Sequence, residues 1–296
     1  MIKGELVERV ARLSADRTPF VIATVVGSRR PTSVRPGDTA VVLADGTIEG
    51  FVGGVCAEST VRLYSLRALE TGEPVLLRLL PGDGGTENDE SLDGAVIEHN
   101  PCLSGGALEI FLEPQLPAAR VVVVGDSPIA RAVEKVAKAA GYDAVRPGVG
   151  DVHVSGDEAA VIVASHGSGE EQVLAEALTA GVGYVALVAS ARRGEAVRAD
   201  LEVPDALRAQ LHTPAGLAIG ARTPEEIAIS ILAALISDRH TNPASAPAPT
   251  ASAVDPVCGM EVAVTGATLS LEVAGERVFF CGAGCRDAYA REHAAR

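Results

Sequence analysis

The chain has 296 residues, a formal net charge of −14 and 47% hydrophobic residues, with only 3% aromatics and no Trp. That length suits about two domains with a small appendage, and cores built from Val, Ile, Leu and Ala suit an α/β protein. An acidic chain without a Lys/Arg cluster excludes nucleic acid as a partner.

Residues 1–5 lead into an amphipathic pattern and not a signal peptide. The longest strongly apolar helical run, 227–236, is about half of what a bilayer crossing needs. The expectation is a cytoplasmic protein with no stable membrane insertion. The five cysteines are an odd number, and three of them crowd the C-terminus. In a reducing compartment that favours metal binding or thiol chemistry over disulfides.

Residues 1–117 read as a mixed α/β domain. Runs 20–26 and 39–43 are strand-like, Asp45-Gly46 is a turn signal, and 107–112 alternates weakly before Pro114 and Pro117 mark a boundary. From 118 to 240 the pattern changes to a Rossmann-like, parallel-sheet domain. The all-Val run 121–124, closed by Gly125, reads as a strand buried on both faces. Ser127 can cap the following helix and Pro128 fits its first turn; Ile129, Val133, Val136 and Ala140 recur at helical spacing. Strands at 160–164 and 184–188 flank a helix over 170–180, and the alternation implies parallel strands. Thr223-Pro224-Glu225-Glu226 is a capping box before the apolar stripe Ile227, Ile231, Leu235. Residues 241–253 read as a Pro/Ala/Ser linker, and 254–296 as a small Cys-containing module.

The first β–α turn, Gly125-Asp126-Ser127-Pro128-Ile129-Ala130, departs from a dinucleotide fingerprint at Ser127 and Ala130. Pro128 removes a helix N–H, Asp126 sets negative charge where a pyrophosphate would lie, and 145–147 offers no ribose-binding acid. An NAD(P)-dependent oxidoreductase is therefore the weaker alternative. Arg146, and Ser190 with Arg192 and Arg193, suit a phosphate or simply a solvated surface. His166 follows a buried strand, at the edge where α/β ligands bind.

In the tail, Cys281 and Cys285 fall one turn apart on one face if a helix begins near Cys281. With Cys258 they make a soft-donor set for Cu(I) or Zn(II). A metal would also support a segment too short for a robust core. A metal-sensing or metal-delivery protein working through this module is the other alternative.

Four stretches carry a family resemblance in the first domain: Ala23-Thr24-Val25-Val26, Ser33-Val34-Arg35-Pro36-Gly37-Asp38, Gly50-Phe51-Val52-Gly53-Gly54-Val55-Cys56-Ala57-Glu58 and Pro101-Cys102-Leu103-Ser104-Gly105-Gly106-Ala107-Leu108-Glu109. Ala164-Ser165-His166-Gly167, Tyr184-Val185-Ala186-Leu187-Val188-Ala189-Ser190 and Pro214-Ala215-Gly216-Leu217-Ala218-Ile219-Gly220-Ala221 continue it. Residues 1–240 thereby resemble the XdhC/CoxI family of molybdenum hydroxylase accessory factors. The resemblance implies a non-catalytic chaperone that binds molybdenum cofactor, as molybdopterin or its dinucleotide form. It would assist sulfuration of the cofactor or its insertion into a hydroxylase of the xanthine dehydrogenase or carbon monoxide dehydrogenase type. The implied partners are the apo hydroxylase and a cysteine desulfurase, with a homodimer as the default assembly.

The residues matched to that role are Gly53, Gly54, Cys56, Cys102, Ser104, Gly105, Gly106 and His166, with no catalytic residue among them. The glycine pairs let backbone N–H groups approach an anion, and a thiolate can ligate molybdenum or carry a persulfide. Val55 stands where the family commonly has a third Gly. The tail, through Asp255-Pro256-Val257-Cys258-Gly259-Met260 and residues 275–285, resembles a YHS domain, with Gly282 at the family's usual Ser.

Overall fold

The β-branched run at 20–26 becomes the central strand of a six-stranded sheet. In the computed structural model, which describes residues 4–82, 94–100, 106–165, 167, 169–241, 249–273 and 275–294, the chain divides into two units: Met1–Pro117 with Pro247–Arg296, and Ala118–Ala246. The first unit begins with α1 (Glu5–Ala15), β1 (Phe20–Arg29), β2 (Thr39–Leu43), β3 (Ile48–Gly50) and α2 (Val55–Thr71). It continues with β4 (Val75–Pro81), β5 (Ala95–Asn100) and β6 (Ala107–Gln115). The sheet order is β3-β2-β1-β6-β4-β5, antiparallel except for the parallel pair β4–β5.

Successive β1 side chains point to opposite faces. Val21, Ala23 and Val25 pack with Ala57 and Val61 of α2, while Phe20 packs with Leu13 of α1 and Val41. The two helices thus cover opposite faces of one sheet.

The second unit alternates strands and helices as the sequence pattern implies. It contains β7 (Arg120–Val124), α3 (Pro128–Ala139), β8 (Asp143–Val145), β9 (Ala160–Val163), α4 (Glu170–Ala180) and β10 (Val185–Leu187). Then come α5 (Ala191–Asp200), α6 (Asp205–Arg208), β11 (Leu211–His212) and α7 (Pro224–Thr241). All strand pairs are parallel, in the order β11-β10-β9-β7-β8. Val121 and Val123 face one core, with Val133 and Ile231. Val122 and Val124 face the other, with Leu174 and Val197; this is why the run is apolar at every position. The expected caps form. Ser127 Oγ accepts from Ala130 N at 3.0 Å. Thr223 and Glu226 exchange bonds of 3.0 and 3.3 Å, a reciprocal capping box.

The tail contributes β12 (Ser252–Val254), β13 (Glu261–Ala263), β14 (Leu269–Val273), β15 (Glu276–Phe280) and α8 (Ala283–Ala294), with the antiparallel pairs β12–β13 and β14–β15. The linker expected over 241–253 is narrower at both ends, because Thr241 closes α7 and Ser252 opens β12. The tail does not stand apart from the first domain. Ala263 packs with Leu63 and Leu66 of α2, Arg67 Nη2 meets Glu261 Oε1 at 2.6 Å, and Thr250 Oγ1 donates to Glu70. A small segment gains from α2 the apolar surface it lacks alone. Among the described residues, no helix is long and apolar enough to cross a membrane.

Candidate functional site

The Gly53–Gly54 turn ends on α2. Gly53 is buried with φ +146°, and a Cβ there would come within 2.8 Å of Ala57 Cβ, so this position demands glycine. Gly54 is the N-cap of α2 at φ −74°, with no side-chain cap, and open space where a Cβ would stand. The helix's positive end is therefore approachable at Gly54.

Cys56, the second residue of α2, turns to the tail. It packs with Cys258 and Cys285 against a cluster of Met260, Val262 and Cys281, and Gly282 approaches so closely that a Cβ there would lie 2.8 Å from Val55 Cγ1. Cys258 Sγ and Cys285 Sγ each stand 3.6 Å from Cys281 Sγ. Hydrogen bonding with Cys56, then burial, pushes the Cys281 thiol up; burial pushes Cys285 up to about 12. None of Cys56, Cys258, Cys281 and Cys285 forms a disulfide.

Asp255 organises this cluster. Its Oδ1 accepts from Val257 N at 2.9 Å and its Oδ2 from Cys281 N at 2.8 Å. Burial works to raise this carboxyl, but the N–H donors of Cys281 and Val257 outweigh it and hold the group below the usual carboxylate range. The sequence reading gave Asp255 no role. Its bond to Val257 is a local Asx turn that Asp-Pro-x-Cys-Gly spells out, whereas its bond to Cys281 is visible only in three dimensions. The helix expected near Cys281 begins at Ala283, so Cys281 reaches the cluster from the loop after β15, and only Cys285 lies on the helix.

The remaining matched residues divide. Gly106 is buried, and a Cβ there would fall 2.1 Å from the Pro31 carbonyl oxygen. Its lack of a side chain serves the close approach of β6 to the chain after β1. Cys102, Ser104, Gly105 and His166 lie outside the described residues.

In the second unit, Arg146 is held by Asp126 at 2.7 Å and Glu134 at 2.8 Å. Arg193 pairs with Glu170, whose buried carboxylate also accepts from Ser165 Oγ at 2.6 Å and Gly167 N at 3.1 Å. Ser190 caps α5 by accepting from Arg193 N. The guanidiniums of Arg146 and Arg193, both considered for a phosphate, are thus engaged by carboxylates. Glu170, not singled out from sequence, organises the loop after β9.

The family model described as the XdhC Rossmann domain matches residues 120–235, and that described as the XdhC and CoxI family matches residues 13–79. The chain belongs to the XdhC and CoxI family. The Escherichia coli (strain K12) protein YqeB is 32% identical over 133 residues, which is 45% of this chain and 22% of that protein's own length. A solved structure described as a xanthine dehydrogenase from Bacillus halodurans is 18% identical with a TM-score of 0.39, over 81% of this chain and 98% of that one. The XdhC and CoxI match and the XdhC Rossmann match fall on the first domain and the parallel-sheet unit respectively. The tail lies outside both matches.

Proposed function

We propose that this XdhC-family chain is a non-catalytic accessory protein in the maturation of a molybdenum hydroxylase. It binds molybdenum cofactor and assists its sulfuration or insertion, working with the apo hydroxylase and a cysteine desulfurase in the cytoplasm. The observation that carries this reading is the family match across two successive domains, 13–79 and 120–235.

The described residues fit part of such a ligand. The approachable N-cap at Gly54, on a helix of 17 residues without a side-chain cap, suits the anionic phosphate of the cofactor. Cys102 supplies the thiol for molybdenum or sulfur, because Cys56 faces the tail.

The nicotinamide alternative has little support. Ser127 and Pro128 take up the first turn of α3, and Asp126 places a carboxylate, 79% exposed, beside the turn where a pyrophosphate would lie.

Protein purified from cells that make molybdenum cofactor should carry molybdopterin, and it should keep it when residues 241–296 are removed. Cys102→Ala should copurify with less. Pterin-free protein from cofactor-replete cells would overturn the reading.

A further inference from the structure

A sulfur cluster built by two parts of the chain has no place in the accessory role. We propose that Cys56 joins Cys258, Cys281 and Cys285 as the fourth ligand of a tetrahedral thiolate site for a divalent cation of the Zn(II) class, and that this ion fastens the tail to the first turn of α2.

The spacing is right for such an ion. A tetrahedral centre with metal–sulfur bonds of about 2.3 Å has sulfur–sulfur edges of about 3.8 Å, and Cys258–Cys281 and Cys281–Cys285 are both 3.6 Å apart. A disulfide needs roughly 2.05 Å, far shorter than either separation.

The fourth position has three claimants. An Asp255 oxygen lies within 4.8 Å of the three tail sulfurs, but both its oxygens already accept backbone N–H bonds at 2.8 and 2.9 Å, and it is a hard donor beside soft ones. Its geometry suits an outer partner that orients the ligand loop. His99 lines a cavity of about 230 Å³ with Cys258, and its buried Nδ1 has no hydrogen-bond partner among the described residues. Cys56 packs against the same sulfur cluster and, unlike the other two, is itself a soft donor.

Electrostatics supports the same choice. Binding one divalent cation releases a proton from each of the four thiols and leaves a centre of net charge −2. Cys56 is the second residue of α2 and Cys285 the third of α8. Two helix N-termini, each with positive dipole character, therefore carry ligands to an anionic centre. Cys56 lies two residues from Gly54, where the cofactor phosphate is placed, but the ion site is argued from the sulfur cluster alone, and its failure would leave the family-based accessory reading standing.

The test uses the full-length, reduced, metal-stripped chain with Co(II) as a spectroscopic stand-in, followed by displacement with Zn(II). One Co(II) per chain should bind, with strong thiolate-to-cobalt charge transfer and a tetrahedral d–d spectrum. Cys56→Ser should lower the charge-transfer band by about a quarter, one thiolate of four. It should weaken Zn(II) binding by at least ~10-fold, the loss that removing even an outer partner of a ligand causes. A band and affinity unchanged in Cys56→Ser would overturn the proposal and hand the position to Asp255 or His99. So would a wild-type chain that binds neither ion, or one that binds Cu(I) through the tail alone.

Alkylation read by mass spectrometry guards against a misfolded variant. Zn(II) should protect Cys56 in the wild-type chain and fail to do so when Cys258 and Cys285 are both Ser. Equal labelling of Cys56 with and without Zn(II) in the wild type would sink the idea.

Discussion

The backbone N–H of Cys281 donates to Asp255 Oδ2 at 2.8 Å, across 26 residues of chain. This bond ties the loop after β15 to the loop before β13, and so sets Cys258 Sγ 3.6 Å from Cys281 Sγ. Asp255 is fully buried, so its removal leaves the N–H groups of Cys281 and Val257 without their acceptor. Hydrogen bonds to a charged group contribute about 1.5–3 kcal/mol. Asp255→Ala should therefore sharply lower hydrogen-exchange protection of the Cys281 amide and loosen the tail, while β7 and β9 amides stay unchanged. Wild-type exchange at Cys281 in the variant would show that the loop is held by other means.

Glu170 has no exposed side-chain area, and its partner Arg193 is 39% exposed. Because water reaches the guanidinium, the pair contributes less than a fully buried one. Glu170→Gln also weakens the bonds from Ser165 and Gly167. The expected loss is about 1–3 kcal/mol, read as a lower urea midpoint for the second unit. Glu195→Gln is the control: its bond to Arg198 sits at the surface with Glu195 65% exposed, and its loss should cost under ~0.5 kcal/mol.

His212 stacks on Tyr184 with ring centroids 4.4 Å apart. Burial holds the imidazole below its ordinary 6.5, aided by Arg198 and opposed by Asp238. The folded state thus binds the proton less readily than the unfolded chain. His212 contributes stability that is intact above 6.5 and is lost as pH falls below it. Urea midpoints between about pH 7.5 and 5.5 should fall more steeply for the wild type than for His212→Gln. Parallel pH profiles would mean that His212 titrates alike in both states.

The parts of the fold written in local code were legible. The Val121–Val124 strand, the Ser127 cap and the Thr223–Glu226 box are each complete within a few neighbouring residues, and each forms as read. The site was less legible because its geometry is long-range. Cys56 and Cys281 are far apart in the chain, and periodicity is silent about which helix a small module will cover. Arg67–Glu261 and Leu63–Ala263 fix that choice, and neither pair carries a signature that spacing could reveal. Glycine was ambiguous for a related reason. Gly54 and Gly106 look alike as halves of Gly-Gly pairs, but one has open space at its missing Cβ and the other a carbonyl oxygen at 2.1 Å.

That contrast gives a paired prediction. Gly106→Ala pushes a methyl into the backbone oxygens of Pro31 and Arg29, at 2.1 and 2.9 Å. Backbone cannot swing aside as a side chain can, so the loss should reach about 1–3 kcal/mol or more, seen as a lower urea midpoint for the first unit. A Cβ at Gly54 would meet nothing within 4 Å among the described residues. The φ and ψ of −74° and 172° there suit a capping serine, so Gly54→Ser should stabilise by about a few tenths of a kcal/mol. The same hydroxyl would compete with a cofactor phosphate for the first N–H groups of α2. A Gly54→Ser chain that is more stable yet carries less molybdopterin would tie the proposed anion site to this helix end. Full loading would reduce Gly54 to a cap and move the phosphate elsewhere.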